Sequence, residues 1–175
     1  MNDAAPGTRP DAELRRAHVL TVSDRSARGE RVDVSGPVAV RRLEAAGWVV
    51  TSGVVPDGSS EVTAALRVAL AAGPDLIVTT GGTGVAPRDR TPEGTAQVID
   101  RELPGLMELL RARGGASSAH AFLTRGIAGV VDARTPRPGC LVINLPGKPA
   151  AVLEGLEVVL PLVGHVLDQL ASGDH

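Results

Sequence analysis

The stretch from Asp75 to Glu93, DLIVTTGGTGVAPRDRTPE, decides how this chain folds. Its first part, Asp75 to Thr80, is a short apolar run with β-branched residues. A Gly-Pro pair precedes the run and Gly81-Gly82 follows it, and turn residues on both sides of such a run are typical of a buried strand. The stretch therefore predicts a strand that opens into a glycine-rich turn.

The glycine-rich turn is suited to hold an anion. Gly81, Gly82 and Gly84 allow the backbone to adopt positive φ angles and to approach a ligand closely, so we expect N–H groups of this turn to bind phosphate. A Thr-Pro pair at 91–92 predicts the start of a helix, with the threonine as N-cap and the proline at the first helical position. Asp89 then lies just ahead of a helix N-terminus.

Strand-like and helix-like segments alternate along the chain. We predict strands at residues 18–22, 48–55, 75–80, 130–131 and 140–145, a surface loop at 25–34, and helices at 35–46, from a cap at Ser59 or Ser60, at 92–101, 104–113, 116–123 and 150–170, the last interrupted or kinked near Pro161. This alternation indicates a three-layer α/β/α fold with a mostly parallel sheet. Residues 1–16 predict a flexible N-terminal tail, and residues 17–172 predict a single domain.

The composition argues against several classes of protein. A formal net charge of −2 over 175 residues, with no basic block and no long apolar segment, argues against nucleic acids and membranes as partners. The N-terminus has no positively charged, apolar leader, so we expect a cytoplasmic protein. Cys140 is the single cysteine, which excludes an internal disulfide and a cysteine-cluster metal site.

Polar residues follow the predicted strands where each one ends. Ser23 and Asp24 follow the first strand, and Asp57 follows the second. The TTGGTG turn and Asp89 follow the third, while Asn144 and a Pro-Gly turn end the last. Because the carboxyl ends of parallel strands share one edge, these segments converge on one site. Carboxylates beside a phosphate repel it unless a cation intervenes, and one or two carboxylates plus substrate phosphates is the usual coordination of Mg²⁺.

Each feature also has a purely structural interpretation. Asp24 is equally well explained as the cap of a local turn, Pro-Asp-Gly around Asp57 is a common turn sequence, and Asp89 stands between two arginines that suit a surface ion pair. Neither standard nucleotide motif fits. Pro87 stands where the dinucleotide fingerprint needs glycine, and Gly147-Lys148 lacks the earlier glycine of a Walker motif. The four histidines lack metal-ligand spacing.

Four segments closely resemble one known family, in the same order and spacing: TVSDRSARGERVDVSGP (21–37), VVPD (54–57), DLIVTTGGTGVAPRDRTPE (75–93) and LVINLPGKPAAVLEGL (141–156). This is the molybdenum cofactor biosynthesis family, which contains the MogA and MoaB proteins and the G domains of plant and animal molybdenum-insertion proteins. The resemblance covers the chain from about His18 to Leu170. It implies a three-layer α/β/α fold, a homotrimer and molybdopterin binding, with other molybdenum cofactor enzymes as potential partners. The catalytic members of the family use Mg²⁺ and ATP to adenylylate molybdopterin and release pyrophosphate.

The resemblance also implies site residues. The two aspartates that the family needs for adenylyl transfer match Asp57 and Asp89, which would also hold Mg²⁺. The residues that match its phosphate-, nucleotide- or pterin-binding positions are Ser23, Asp24, Ser35, Gly36, Thr79, Thr80, Gly81, Gly82, Thr83, Gly84, Thr124, Asn144, Pro146 and Gly147.

The chain departs from the family pattern in two places. Where relatives often carry Leu-Ser-Arg-Ser or Leu-Ser-Arg-Ala, this chain has Leu-Thr-Arg-Gly at 123–126, which keeps a hydroxyl at Thr124 and lacks one at Gly126. Lys148 falls where relatives vary and inherits no role. The resemblance favours a molybdopterin adenylyltransferase. The alternatives are a non-catalytic molybdopterin-binding paralogue or scaffold and a nucleotide-binding α/β protein without a pterin.

Overall fold

The computed structural model describes residues 14–134 and 138–171. Within them, a six-stranded sheet has the order β2-β1-β3-β6-β5-β4. The strands are β1 Arg16–Val22, β2 Val49–Val55, β3 Leu76–Thr80, β4 Arg101–Glu102, β5 Ala128–Val131 and β6 Cys140–Leu145. The helices are α1 Asp24–Ala27, α2 Ser35–Glu44, α3 Ser59–Ala71, α4 Thr91–Ala96, α5 Pro104–Ser117 and α6 Pro149–Ala171, with a 3₁₀ helix at Ala119–Leu123.

The direction of the strands divides the sheet into two parts. β1, β2, β3 and β6 run parallel to one another, while β5 is antiparallel to β6 and β4 is antiparallel to β5. The prediction of a mostly parallel sheet is therefore confirmed, with a reversed edge that the sequence pattern did not reveal. The carboxyl ends of the four parallel strands lie at one edge, which is the geometry that brings their polar residues together.

Two apolar clusters fill the space on either side of the sheet and establish the three layers. One cluster joins strand residues to Leu43 of α2, Met107 of α5 and Leu156 of α6. The other joins strand residues to Val62 and Leu66 of α3. Because every β3 side chain is buried, the central strand is covered on both faces, as the continuous apolar run predicts.

Helix α6 is the longest element, and it corrects one expectation from the sequence. At 23 residues it is long and apolar enough, by length and composition, to cross a membrane, although we expected no such segment. Its buried residues, including Val152, Val159 and Val163, belong to the larger apolar cluster under the sheet. That packing is typical of a core helix. Pro161 lies inside the helix, which continues on both sides of it without interruption.

Several predicted boundaries differ from the structure. The loop predicted at 25–34 begins with the short helix α1, and the helix predicted at 92–101 ends at Ala96 because the chain turns into β4. Neither Ser59 nor Ser60 caps α3, since its N-cap is Gly58 and both serines are helical. The predicted tail lies largely outside the described residues, at 1–13, and β1 already includes Arg16.

Candidate active site

The parallel strands are joined to one another just beyond their carboxyl ends. The N–H of Ser23 donates to the carbonyl of Val55 at 2.9 Å, which ties the end of β1 to the end of β2. In the same way the N–H of Gly81 donates to the carbonyl of Leu145 at 3.1 Å, which ties β3 to β6. These contacts hold the four loop openings side by side, so the convergence that the sequence predicts is present.

The turn at Gly81-Gly82 leaves no space for a side chain larger than hydrogen at either residue. Their φ angles are +98° and +62°, a region that glycine adopts at little cost. A Cβ on Gly81 would collide with the backbone carbonyl of Val22, and one on Gly82 would lie 3.1 Å from Oδ1 of Asp57. Gly84 does not have a positive φ, contrary to expectation, and is glycine for lack of space, since a Cβ there would lie 2.6 Å from Oδ2 of Asp89.

The N–H groups of this turn divide into two kinds. That of Gly81 is bonded to Leu145 and is unavailable to a ligand, which corrects the expectation for this residue. For Gly82, Thr83 and Gly84, no acceptor in residues 14–134 and 138–171 pairs with the N–H. Consecutive N–H groups in such a turn form an anion-binding concavity.

Thr91 plays a different part from the one predicted. The N-cap of α4 is Arg90, and Thr91 is the first helical residue, fully buried. Its hydroxyl donates to the carbonyl of Gly81 at 2.9 Å and its N–H to the carbonyl of Gly82 at 3.1 Å. The threonine therefore fixes the glycine turn against α4 instead of capping the helix with its side chain.

Three carboxylates, which we call the carboxylate cluster, lie on one side of the turn: Asp24, Asp57 and Asp89. Two reciprocal hydrogen bonds join Asp24 and Asp57. The N–H of Asp24 donates to Oδ2 of Asp57 at 2.7 Å, and the N–H of Asp57 donates to Oδ1 of Asp24 at 3.1 Å. Oδ2 of Asp89 accepts from the N–H of Ala86 at 3.1 Å and is also the atom nearest Gly84. The predicted catalytic pair thus flanks the glycine turn.

Arg88 sets the electrostatics of the carboxylate cluster. Its guanidinium donates two hydrogen bonds of 2.8 Å to Asp24 and one to the carbonyl of Asp57. The bond from Arg88 lowers the pKa of Asp24 below its ordinary value. Burial, with the nearby charges of Asp24 and Asp89, raises the pKa of Asp57. Arg88 was not among the predicted site residues, although its place beside Asp89 in the resembling segment was a signal.

The carboxylate cluster fits a divalent cation. Among the described residues, no Lys or Arg side chain forms an ion pair with Asp57 or Asp89, and no donor pairs with Oδ1 of either. The same residues hold no group of three or more His, Cys, Asp or Glu side chains with metal-binding geometry. Two carboxylates that share a site with a phosphate-binding turn are the donor set expected for Mg²⁺, which completes its coordination with phosphate oxygens and water.

A cleft of about 260 Å³, which we call the hydroxyl cleft, borders the turn at Gly81. Its lining includes the predicted residues Ser23, Ser35, Thr80, Gly81 and Gly147. The N-terminal ends of α2 and α6 border it, at Ser35 and Pro149. Helix N-termini attract anions, so the α6 end of the hydroxyl cleft suits a phosphate-bearing molecule.

Asp33 organises the entrance of α2 at this cleft. Its carboxylate accepts from the hydroxyls of Thr21 at 2.7 Å and Ser35 at 3.2 Å, and from the N–H of Gly36 at 3.1 Å. The predicted site residues Ser35 and Gly36 are therefore tied to Asp33, which was not among the predicted residues. An Asp ahead of Ser-Gly-Pro is a helix-start signal that could have indicated it.

Two of the predicted binding residues, Thr79 and Asn144, are fully buried. The amide nitrogen of Asn144 donates to the hydroxyls of Thr79 and Thr95, both at 2.9 Å, and its Oδ1 accepts from Ile127 at 3.2 Å. Their side chains therefore join β3, β6 and α4 inside the fold. Thr80 donates to the carbonyl of Pro146 at 3.3 Å and links the two strand ends that carry the turns.

The segment at 123–126 contacts the site through Arg125. Thr124 is partly buried and follows the 3₁₀ helix, while the buried N–H of Gly126 lies 3.4 Å from its hydroxyl. A Cβ at Gly126 would lie 2.9 Å from the backbone carbonyl of Asn144, which explains why this chain has no side chain there. Between them, Arg125 contacts the glycine turn and the Asp89 loop, and sequence reasoning missed it because its partners are distant along the chain.

Comparison with known sequences identifies relatives of the whole arrangement. Residues 18–165 match the family model described as Probable molybdopterin binding domain. A protein of Pyrococcus furiosus named molybdopterin adenylyltransferase is 41% identical over 150 residues, which are 85% of this chain and 87% of that protein. A molybdenum cofactor biosynthesis bifunctional protein of Synechococcus elongatus is 39% identical over 160 residues, and the match spans 48% of its length.

Solved structures show the same architecture. The tungsten cofactor synthesizing protein MoaB of Pyrococcus furiosus superposes with a TM-score of 0.82 at 38% identity, covering 91% of this chain and 99% of that chain. A MogA structure superposes with a TM-score of 0.81 at 41% identity, covering 89% of this chain and 99% of that chain. With the sequence match over residues 18–165 and the shared fold, this chain belongs to the molybdopterin-binding domain family.

Proposed function

We propose that this protein acts in molybdenum cofactor biosynthesis as a molybdopterin adenylyltransferase. Relatives from Pyrococcus furiosus and Helicobacter pylori carry that name, and the former matches most of the chain. Mg²⁺ and ATP as requirements, a homotrimeric assembly and further molybdenum cofactor enzymes as partners stay predictions that rest on the family resemblance. A cytoplasmic location stays a prediction from the N-terminal sequence.

In the proposed reaction an oxygen of the terminal phosphate of molybdopterin attacks the α-phosphorus of ATP. A new P–O bond forms, the bond between the α-phosphorus and the bridging oxygen breaks, and pyrophosphate carries away the electron pair. Both substrates are polyanions, so the chain must position them and offset their repulsion more than supply a nucleophile. Mg²⁺, when bound at Asp57 and Asp89, neutralises charge on the phosphate oxygens.

The remaining tasks fall to groups already in place. The free N–H groups of Gly82, Thr83 and Gly84 bind a phosphate oxygen and hold it next to the carboxylate cluster. The N-terminus of α6 receives the second anion in the hydroxyl cleft, since the start of α2 is already bonded to the Asp33 carboxylate. Arg88 compensates the charge of Asp24, so within the carboxylate cluster Asp57 and Asp89 have no cation of the described chain as an ion-pair partner.

One observation carries this proposal. Two carboxylates with a free oxygen each and three consecutive free N–H groups meet at the same glycine turn. A binding scaffold needs the N–H groups alone, because carboxylates beside a bound phosphate weaken binding unless a cation joins them. Reaction with a metal-bound nucleotide accounts for both the carboxylates and the N–H groups.

Pyrophosphate release and formation of adenylylated molybdopterin by the purified protein, with molybdopterin, ATP and Mg²⁺, test the proposal. We expect turnover by the wild type, its loss in Asp89→Asn, and its retention in Asp132→Asn, which removes an exposed carboxylate paired with Arg101 at the β4 edge. Tight pterin binding without turnover in the wild type would instead favour the non-catalytic paralogue. Nucleotide binding without pterin binding would contradict both readings.

A further inference from the structure

Arg125 joins three segments of the site with one side chain. Its Nε donates to the carbonyl of Gly84 at 2.7 Å, and one terminal nitrogen donates to the carbonyl of Asp89. The other terminal nitrogen donates to Oε1 of Glu93 in α4 at 2.6 Å. In addition, the backbone N–H of Arg125 donates to the carbonyl of Thr83 at 2.8 Å. One residue thus holds both ends of the loop between the glycine turn and the catalytic aspartate.

The two ends of the loop from Gly84 to Asp89 have few other contacts to fix them. Val85 is 76% exposed, and Ala86 and Pro87 are exposed as well, so no apolar packing within the loop anchors it. Its internal bonds are short-range ones, from the N–H of Asp89 to the carbonyl of Ala86 and from the N–H of Ala86 to the Asp89 carboxylate. Arg88 ties the middle of the loop to the ends of β1 and β2, through Asp24 and the carbonyl of Asp57. The position of its two ends, at Gly84 and Asp89, therefore depends on Arg125.

The ion pair with Glu93 gives this link a rigid support. Glu93 lies in the first turn of α4, and α4 packs on α3 through Gly94, whose carbonyl accepts from the buried hydroxyl of Thr63 at 3.1 Å. A planar guanidinium with several fixed donors can bond two carbonyls and a carboxylate at once, whereas an ammonium on a flexible stem cannot hold the same three partners in that geometry.

We propose that Arg125 is a positioning residue that sets the place of Asp89 relative to the free N–H groups of Gly82, Thr83 and Gly84. This inference rests on the proposed function of the same site. The consequence is that the carboxylate and the bound phosphate reach one cation together, and a displaced loop separates them. Arg125 acts through Asp89 and the turn and touches no substrate in this scheme.

A matched pair of substitutions isolates this role. Arg125→Lys keeps the positive charge beside Glu93 and loses the fork that bonds the two carbonyls. Arg90→Lys is the control, because Arg90 pairs with the same Glu93 carboxylate, at 3.2 Å, without bonding the carbonyl of Gly84 or Asp89. Both variants change an arginine next to Glu93. Arg90 also donates to the carbonyl of Pro87 in the middle of the loop at 3.2 Å, whereas only Arg125→Lys releases the two ends of the loop.

Amide hydrogen exchange of the free protein is the first measurement, since it needs no turnover. We expect faster exchange in peptides covering residues 81–91 of Arg125→Lys than in wild type or Arg90→Lys, with peptides from β1 and α6 unchanged. Exchange that rises equally throughout the chain would mean a general loss of stability, and unchanged exchange at 81–91 would mean that the loop holds itself. Either result overturns the proposal.

Steady-state kinetics give the second measurement. Because misplacing one metal carboxylate affects the reacting geometry more than substrate capture, we expect kcat of Arg125→Lys to fall about 10- to 100-fold. KM for molybdopterin should stay within about twofold of wild type, as should both constants for Arg90→Lys. A raised KM with unchanged kcat in Arg125→Lys would assign the residue to substrate binding and contradict the positioning role.

Two further outcomes are covered. If Arg125→Lys folds poorly, Glu93→Gln tests the same link, because it weakens the support of the guanidinium while leaving the two carbonyl contacts; it should raise exchange at 81–91 and lower kcat in the same direction. If wild type shows no turnover, the proposed function fails, while the exchange comparison still decides whether Arg125 orders the loop.

Discussion

Two aspartates near the glycine turn, Asp33 and Asp57, have contrasting surroundings. Asp33, at the hydroxyl cleft, has its carboxylate used by Thr21, Ser35 and Gly36. Asp57, in the carboxylate cluster, accepts from one N–H and has an oxygen that no donor in the described ranges satisfies. The carboxylate of Asp33 is fully used in ordering the start of α2, whereas the carboxylate of Asp57 has an oxygen available to a ligand. Residue type alone does not distinguish a structural carboxylate from a functional one. The number of hydrogen-bond donors around the carboxylate does.

The largest effect expected from this contrast concerns turnover. Asp57→Asn keeps an acceptor for the N–H of Asp24 and removes the charge offered to Mg²⁺, so we expect the rate of pyrophosphate release to fall roughly 100-fold or more. The thermal midpoint should not fall, because burial already raises the pKa of Asp57 and disfavours its charged form. Turnover near the wild-type rate, or a variant that unfolds, would show that Asp57 serves the fold as Asp33 does.

A second prediction concerns the glycine turn that borders both the hydroxyl cleft and the carboxylate cluster. In Gly81→Ala the new Cβ meets the carbonyl of Val22, in addition to the strain of a φ of +98°. Gly47→Ala is the control, with a φ of +86° and nothing within 4 Å of the new Cβ. Strain alone should lower the free energy of unfolding of Gly47→Ala by about 1–2 kcal/mol, and Gly81→Ala should lose about 2 kcal/mol more. Denaturant unfolding measures both, and equal losses would mean that the turn relaxes away from Val22.

The third prediction concerns the hydroxyl cleft. Asp33→Asn removes a charged acceptor shared by three donors, so we expect the free energy of unfolding to fall by about 1 kcal/mol. The loosened start of α2 should raise KM for the substrate bound in the cleft about fivefold, with kcat nearly unchanged. A loss of kcat without a change in KM would place Asp33 with the carboxylates proposed to be catalytic and would contradict the contrast between Asp33 and Asp57.

The smallest effect is a difference in pH dependence within the carboxylate cluster. The pKa of Asp57 is raised, so its protonated form favours the fold and that stability is lost as pH rises through the folded pKa. The pKa of Asp24 is lowered by Arg88, so its ionised form favours the fold and that stability is lost as pH falls through the folded pKa.

Thermal midpoints between about pH 3 and pH 7 test these opposite signs. Relative to wild type, Asp57→Asn should gain stability as pH rises, and Asp24→Asn should lose it over the same range. Val68→Ala, at an exposed helical position outside the carboxylate cluster, removes no polar group and is the control; its midpoint should run parallel to that of wild type at every pH. Parallel curves for the two Asp variants would mean that Arg88 does not distinguish the two carboxylates.

Much of the fold could be predicted because its signals are local. An apolar run between turn residues indicated β3 and β6, and the second of these was predicted with its observed bounds. The reversed β4–β5 edge could not be predicted, since two residues at Arg101–Glu102 carry no periodicity and strand direction depends on partners far along the chain. Helix starts were also less certain, because a serine or threonine near a predicted start can be a cap or a helical residue.

By itself, the sequence determined the order of the strands and helices other than α1 and β4, and the association of Asp57 and Asp89 with a glycine turn, since periodicity, turn residues and motif spacing are properties of neighbouring residues. Tertiary structure alone decided which groups remain free for a ligand. Asn144 is occupied by partners 65 and 49 residues away, and Arg125 reaches Gly84 across 41 residues. Such contacts form only when distant segments pack together. Whether a polar group is already hydrogen-bonded within the protein or available to a ligand is therefore a property of the folded chain.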